Sequence, residues 1–514
     1  MSYRNVLQKL PGKNFILEIT VFVCGALVMI YEIIGSRLLS PYIGASTYVW
    51  TSLIGVILGA LSLGYWLGGK WADRQPDIKI LAFVIFLAGG LVSLTILLKD
   101  LVLSLIAESS AGLEIKSLLA ALLLFAPASV LLGFVTPYAV KLKMSSLEDS
   151  GKTVGKLYAI STIGSILGTF LAGFFLIPFV GSTKTLYLIG ASLIGLSILL
   201  VPFALRLINI MILIVFALGI GLSELRIYYL HKTSDLYDID TEYSRVQVFQ
   251  TVDPKSGKKI RAIATDPYFI QTGMFLDSDE LVFDYANYYH LLQHFKPDFT
   301  ETLMIGGAGY SFPKDYLQKY PNAKMDVVEI DRQMTEIARR FFRLETNPRL
   351  NIIHQDGRIF LNQTDAGKYD AVLMDAFGSL FSVPFPLTTI EAVEQINRVL
   401  KDDGVVIFNL GAAIEGDASR FLQAEFKTYQ QVFSRVYLFK VNSEYSNEQL
   451  QNLIIVACKK ENSVPLKSQD PEISYLLQNF YEKIPEMQID ILTDDLAPVE
   501  YYNSSGQSSY KAKN

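Results

Sequence analysis

The sequence predicts two parts of different class: a multi-span α-helical membrane domain, then an α/β domain built on a parallel, doubly wound sheet. Three observations predict this. Long apolar runs follow one another from Phe15 to about Leu222, broken only by short polar loops. After Glu224, Asp, Glu and Lys occur throughout, as in a water-facing domain. From Thr302 onward, short apolar strands alternate with helical segments, and an acidic residue closes one strand after another.

A chain of 514 residues is long for a single domain, and 51% apolar residues is high for a soluble protein. The expected division is a membrane domain over 1–225, a small β subdomain with an entrance helix over 226–290, and a nucleoside-binding domain with a C-terminal tail over 291–514. A formal charge of −5 offers no basic surface for nucleic acid. The two cysteines, Cys24 and Cys458, fall in different parts, and Cys24 lies in an apolar run, so no disulfide framework is expected. That pattern suits a reducing compartment for the soluble part. The first apolar stretch is too long for a cleavable signal, and further spans follow it.

Crossing about 30 Å of hydrocarbon takes roughly 20 apolar residues. Seven runs qualify: about 15–36, 47–68, 79–98, 116–138, 153–178, 184–203 and 207–223. An internal repeat is visible. Ser40-Pro41-Tyr42 precedes a span carrying Ser52, Gly55, Gly59 and Gly64; Thr136-Pro137-Tyr138 precedes one carrying Ser161, Gly164, Gly168 and Gly173. With three spans in each unit, the two halves would sit in opposite orientation, as in inverted-repeat transporters. Small residues four apart (Gly55/Gly59, Gly164/Gly168) suit close helix packing in lipid. Glu32 and Arg37 sit at the first span and are expected to pair or to face a polar cavity.

Basic residues gather at the N-terminus (Arg4, Lys9, Lys13), in loop 70–79 and in loop 141–156. The positive-inside rule makes all three cytoplasmic, so seven spans would leave the soluble domain outside. A nucleoside ligand argues for the cytoplasm. The expectation is that one run does not cross, or that a further span lies around 99–115.

In the soluble part, 244–251 and 258–264 read as a hairpin around Asp253-Pro254-Lys255-Ser256-Gly257. A helical stretch follows at 279–295. Strands are then expected at 302–305, 324–330, 350–354, 370–374 and 404–410, with 436–441 and 453–458 as a closing pair. Strands alternating with helices imply a Rossmann-like parallel sheet of the class I methyltransferase type, with the ligand at the carboxyl ends of the strands.

The polar residues fall at those ends. Gly306, Gly307 and Gly309 follow the first strand and let a ligand approach the backbone. Glu329 ends the second strand, about 20 positions on, placed to accept both ribose hydroxyls. Asp356 ends the third, placed for an adenine amino group. Asp375 ends the fourth, facing the reactive part of the ligand. A dinucleotide is disfavoured: Tyr310, Ser311 and Pro313 replace the rest of a Gly-x-Gly-x-x-Gly turn, and no pyrophosphate cradle is apparent.

These residues resemble the spermidine synthase (polyamine aminopropyltransferase) family, in particular its membrane-fused members. The resemblance covers about 240–460 and rests on Ile305-Gly306-Gly307-Ala308-Gly309, Val327-Val328-Glu329-Ile330-Asp331, Asp356-Gly357-Arg358, Tyr369-Asp370-Ala371-Val372-Leu373-Met374-Asp375 and Leu387-Thr388-Thr389-Ile390-Glu391. Tyr31-Glu32 through Arg37-Leu38-Leu39-Ser40-Pro41-Tyr42 is similar to the membrane region of such fusions.

The resemblance implies transfer of an aminopropyl group from decarboxylated S-adenosylmethionine to an amine such as putrescine, with no tightly bound cofactor and no metal. It implies that Glu329 holds the ribose, Asp356 and Gly357 the adenine side, and Gln271 the amine side, with Asp375 as base. The implied partners are a small amine and the lipid bilayer, with a homodimer as a further expectation.

The sequence also departs from the family. Gly309 stands where the family has an Asp, and Gly378 stands where the strand-four motif has its second Asp. Phe283-Asp284 stands at the entrance Tyr-His pair, so Asp284 is a candidate compensating carboxylate. Two alternatives stay open: an S-adenosylmethionine-dependent methyltransferase, and a transporter or sensor that binds a nucleoside or polyamine without turnover.

Overall fold

The computed structural model describes residues 13–44, 46–109, 111–144, 150–201, 207–265, 269–376, 383–461, 464–483 and 489–502. The chain forms two compact units: Met1–Thr233 with Ile239–Arg245, and Ser234–Asp238 with Val246–Asn514.

The first unit is helical: α1 Lys13–Ile43, α2 Thr47–Arg74, α3 Ile78–Glu108, α4 Leu113–Leu124, α5 Ala126–Lys143, α6 Ser150–Leu171, α7 Ser182–Leu200 and α8 Leu207–Ser234. A π-helical segment, Ala172–Val180, continues α6. Six helices are long and apolar enough to cross a membrane, and α4 with α5 makes a seventh element bent by 54°. The bend has a local cause. Pro127, at the start of α5, lacks an N–H and crowds the carbonyl four residues back. The Leu124 carbonyl at the break accepts instead from Tyr31 Oη (2.8 Å) and Thr95 Oγ1 (2.9 Å).

Four expectations are corrected here. Among the described residues no separate span lies around 99–115, because α3 continues unbroken to Glu108. Glu32 and Arg37 do not pair, and the Arg37 guanidinium donates to the Glu242 carbonyl. The close helix approaches use Gly64 and Gly68 with Gly164 and Gly168, whereas Gly55 and Gly59 meet nothing within 4 Å. The last helix also runs on to Ser234, past the expected domain edge near 225.

A four-stranded sheet follows in the chain, order β1-β2-β3-β4, with β2, β3 and β4 antiparallel: β1 Tyr237–Asp240, β2 Arg245–Val252, β3 Lys259–Ala264 and β4 Thr272–Phe275; Ile239, Asp240 and Arg245 of it belong to the first unit. Its hairpin turn is closed by Asp253, whose carboxylate accepts from Ser256 N at 2.8 Å, while Gly257 takes φ +69. Short helical turns fill 284–295.

The main sheet has eight strands in the order β12-β10-β11-β9-β8-β5-β6-β7. They are β5 Glu301–Ile305, β6 Lys324–Val328, β7 Leu350–Ile353, β8 Tyr369–Met374, β9 Leu400–Ala412, β10 Arg435–Lys440, β11 Gln451–Cys458 and β12 Phe480–Tyr481. Strands β5 to β9 pair in parallel, and β11, β10 and β12 add antiparallel. Strand β8 is buried along its whole length, which is why it reads as an uninterrupted apolar run after Asp370. Its neighbours supply Leu303, Ile305, Val406 and Phe408 to the core, each worth about 1.5–3 kcal/mol of burial.

Candidate active site

The chain leaves β5 toward β6 and β7 on one side and returns through β8 and β9 on the other, so the sheet's switch point lies between β5 and β8. Their carboxyl ends are joined there: Asp375 N donates to the Ile305 carbonyl at 2.9 Å. Gly306 follows with φ +96, and a Cβ on it would stand 2.3 Å from the Asp375 carbonyl oxygen. Only glycine accommodates both the backbone angle and that approach. Ala308 and Tyr310 are also left-handed (φ 43 and 55), which folds 306–310 into a tight turn before α9 (Ser311–Lys319).

Glu329 is buried under this turn. Its Oε2 accepts from Gly307 N (2.8 Å) and Ala308 N (3.1 Å), and its Oε1 from Asp331 N (3.0 Å). Burial pushes its carboxyl above the usual range, against the pull of these three amides. Asp356 caps α11, which follows α10 (Arg332–Phe341) and spans Gly357–Gln363, by accepting from Ile359 N at 2.9 Å. Gly357 lets α11 approach β5, since a Cβ there would stand 2.8 Å from Ile305. A Cβ on Gly309 would meet the Thr272 side chain at 2.7 Å.

Asp375 draws together residues from three distant segments. Its Oδ1 accepts from Asn409 Nδ2 at 3.1 Å, and Tyr285 and Tyr289 lie beside the same carboxylate, the Tyr289 hydroxyl donating to the Met374 carbonyl at 3.3 Å. The Tyr285 hydroxyl also lies 3.5 Å from the Gln271 carbonyl. Burial pushes the Asp375 carboxyl up to about 6, opposed by Asn409, Tyr289 and Tyr285. A carboxylate with a pKa near 6 is ionised at neutral pH and basic enough to take a proton from an attacking nucleophile.

Gln271 is thus at the site through its backbone, next to Tyr285. Asp284 is not brought to Asp375. It pairs with Lys255 and is 47% exposed. Gly378 lies outside the described residues. Sequence reasoning missed Asn409, Tyr285 and Tyr289. One signal was available: Asn409 is the lone polar residue in Val405–Leu410, an otherwise apolar buried strand. The i, i+4 spacing of Tyr285 and Tyr289 was another. Among the described residues, no group of three or more His, Cys, Asp or Glu is placed to hold a metal.

Fold and site define a class I methyltransferase-like α/β domain with an acidic centre at its switch point. Residues 286–468 match the family model described as the spermine/spermidine synthase domain. Through this stretch, which lies in the second unit, the chain is similar to that family.

Among its relatives, a polyamine aminopropyltransferase of Vibrio vulnificus is 28% identical over 218 residues, 40% of this chain and 70% of that one. Polyamine aminopropyltransferase 1 of Streptomyces coelicolor is 23% identical over 431 residues, 78% of this chain and 76% of that one. That stretch is too long to lie within the second unit, so it takes in part of the helical unit. A solved structure of a probable spermidine synthase from Corynebacterium glutamicum is 19% identical and covers 46% of this chain and 83% of that one, with TM-score 0.39.

Proposed function

We propose that the protein is a membrane-anchored polyamine aminopropyltransferase. It transfers the aminopropyl group of decarboxylated S-adenosylmethionine to an amine such as putrescine. The observation that carries this reading is the Asp375 carboxylate at the switch point of the sheet, held by Asn409 with Tyr285 and Tyr289 beside it.

In the reaction, the amine nitrogen forms a bond to the carbon beside the sulfonium, the C–S bond breaks, and methylthioadenosine leaves with the electron pair. The proton on the attacking nitrogen passes to Asp375. Asn409 keeps the carboxylate oriented while it waits for that proton. Glu329 holds the ribose through lone pairs its three amide donors leave open, and it braces the glycine turn at the same time. The second oxygen of Asp356 faces the adenine amino group, and Gln271 lines the amine side. Asp284, engaged by Lys255, takes no part in proton transfer.

The helical unit places this chemistry at a bilayer. Six apolar helices and one bent pair support that reading, as does a relative whose match extends into them. We place the second unit on the cytoplasmic side, where a nucleoside co-substrate is available.

The test is Asp375→Asn in the full chain. Turnover should fall by about two to four orders of magnitude, with nucleoside affinity within a few-fold of native. Unchanged turnover would remove Asp375 as the base.

A further inference from the structure

We propose that the helical unit is an inverted-repeat carrier with a cation site at Glu32, and that its cargo is a primary ammonium. The choice of cargo rests on the amine chemistry proposed for the second unit.

The repeat shows in backbone register. Between α1 and α6, a Cβ on Gly25 would stand 2.4 Å from Ser161 O, one on Gly164 2.1 Å from Phe22 O, and one on Gly168 2.4 Å from Ala26 O. Between α5 and α2, a Cβ on Gly133 would stand 2.6 Å from Leu61 O, one on Gly64 2.1 Å from Val130 O, and one on Gly68 2.5 Å from Phe134 O. Positions 22, 25 and 26 are spaced as 130, 133 and 134 are. Positions 161, 164 and 168 are spaced as 61, 64 and 68 are.

Each pair runs parallel, with the same three approaches in the same order. Exchanging α1 with α5 and α2 with α6 therefore maps one interface onto the other. The third elements pair with each other, Ser197 Oγ donating to Ala82 O at 2.7 Å and Gly89 lying against Leu193. Two halves of three crossing elements, related in this way, have opposite orientation in a membrane, the plan that alternating access uses.

Glu32 is the group this plan leaves unexplained. It is 9% exposed and has no hydrogen-bond or ion-pair partner among the described residues. It lies seven residues beyond Gly25, on the stripe of α1 that meets α6. Extending the α1–α6 register brings it level with the π-helical segment Ala172–Val180, against which α1 packs. Such segments recur at functional sites. Its neighbour Tyr31 holds the Leu124 carbonyl at the break between α4 and α5, with the Phe125 ring 4.9 Å from its own. A buried acid, a broken helix and a π segment thus meet at one level of the bundle.

An unpaired acid inside an apolar span costs several kcal/mol, so it implies a partner that comes and goes. A lone carboxylate suits a monocation and offers too few oxygens for a divalent metal. An ammonium group satisfies the carboxylate's charge and donates hydrogen bonds to it.

The test uses the purified full chain in proteoliposomes with radiolabelled putrescine. The native chain should give saturable uptake at least several-fold above empty vesicles. Glu32→Gln should lose about tenfold or more, and Glu32→Asp should retain part. Uptake no better than empty vesicles, or equal uptake by Glu32→Gln, overturns the proposal. Sodium uptake that putrescine does not inhibit overturns the ammonium assignment.

A second measurement needs no variant. Dicyclohexylcarbodiimide should modify Glu32 in the native chain, and putrescine should slow that labelling several-fold; no protection counts against the site. Methylthioadenosine release, measured on the same samples in detergent, separates the two readings. Release without uptake removes the carrier and keeps the transferase. Uptake without release does the reverse.

Discussion

Asn409 on β9 donates its side-chain N–H to Asp375 at the end of β8, at 3.1 Å, and this is a direct side-chain donor fixing the carboxylate at the switch point. Replacing Asn409 with Leu removes a donor that favours the ionised form. The titration of Asp375 should move up from about 6, because burial then acts with less opposition. Transferase kcat/KM should rise with pH through about 6 in the native protein and through a higher pH in the variant. The loss should be several-fold near pH 6 and small near pH 9. A pH profile checks this; an unmoved limb would separate Asn409 from the base.

The same shift has a stability sign. The folded carboxyl titrates above its unfolded value of 3.8, so the folded state binds the extra proton between 3.8 and about 6. Stability of the second unit should therefore fall as pH rises through that window, by an amount on the order of 1–3 kcal/mol. Asp375→Asn should remove that fall and melt higher than native at pH 8. Denaturation at pH 4 and pH 8 measures it.

Much of the sheet was legible because strands buried on both faces read as apolar runs, and β8 is the clearest of these. The strand-end positions of Glu329, Asp356 and Asp375 were legible because each closes a short strand of the alternating series. Tyr285, Tyr289 and Asn409 were not, since their meeting at Asp375 depends on segments far apart in the chain. In the helical unit, glycine spacing alone did not say which face meets a neighbour, so Gly55 and Gly59 looked like contacts while Gly64 and Gly68 make them. The bend after Leu124 was hidden in a run whose composition stays apolar across Pro127.

Gly306→Ala places a side chain at a positive φ and 2.3 Å from the Asp375 carbonyl. The angle alone costs about 1–3 kcal/mol, and the clash adds to it by pushing β5 and β8 apart at the site. Thermal unfolding of the second unit should drop by several degrees, and nucleoside affinity should fall with it. A variant with native stability would show that this turn adapts freely.

Glu329→Gln keeps the shape but turns an NH2 group toward backbone amides that now meet oxygen. Nucleoside affinity should weaken by about tenfold or more, in line with losing charge-assisted bonds worth about 1.5–3 kcal/mol each. Saturating kcat should change much less. Equilibrium binding of methylthioadenosine checks the first, and a kcat loss exceeding the binding loss would contradict the assignment.

A fluorescent protein fused after Asn514 should fluoresce in cells if the second unit is cytoplasmic, and an alkaline phosphatase fusion at the same point should be inactive. The reverse pair would place the unit outside and agree with seven crossings and basic loops at 70–79 and 141–156 inside.

The most direct measurement is chemical. The purified full chain, given putrescine and decarboxylated S-adenosylmethionine, should release methylthioadenosine and form spermidine in equal amounts. Nucleoside binding with no methylthioadenosine from any diamine tried would contradict the transferase account.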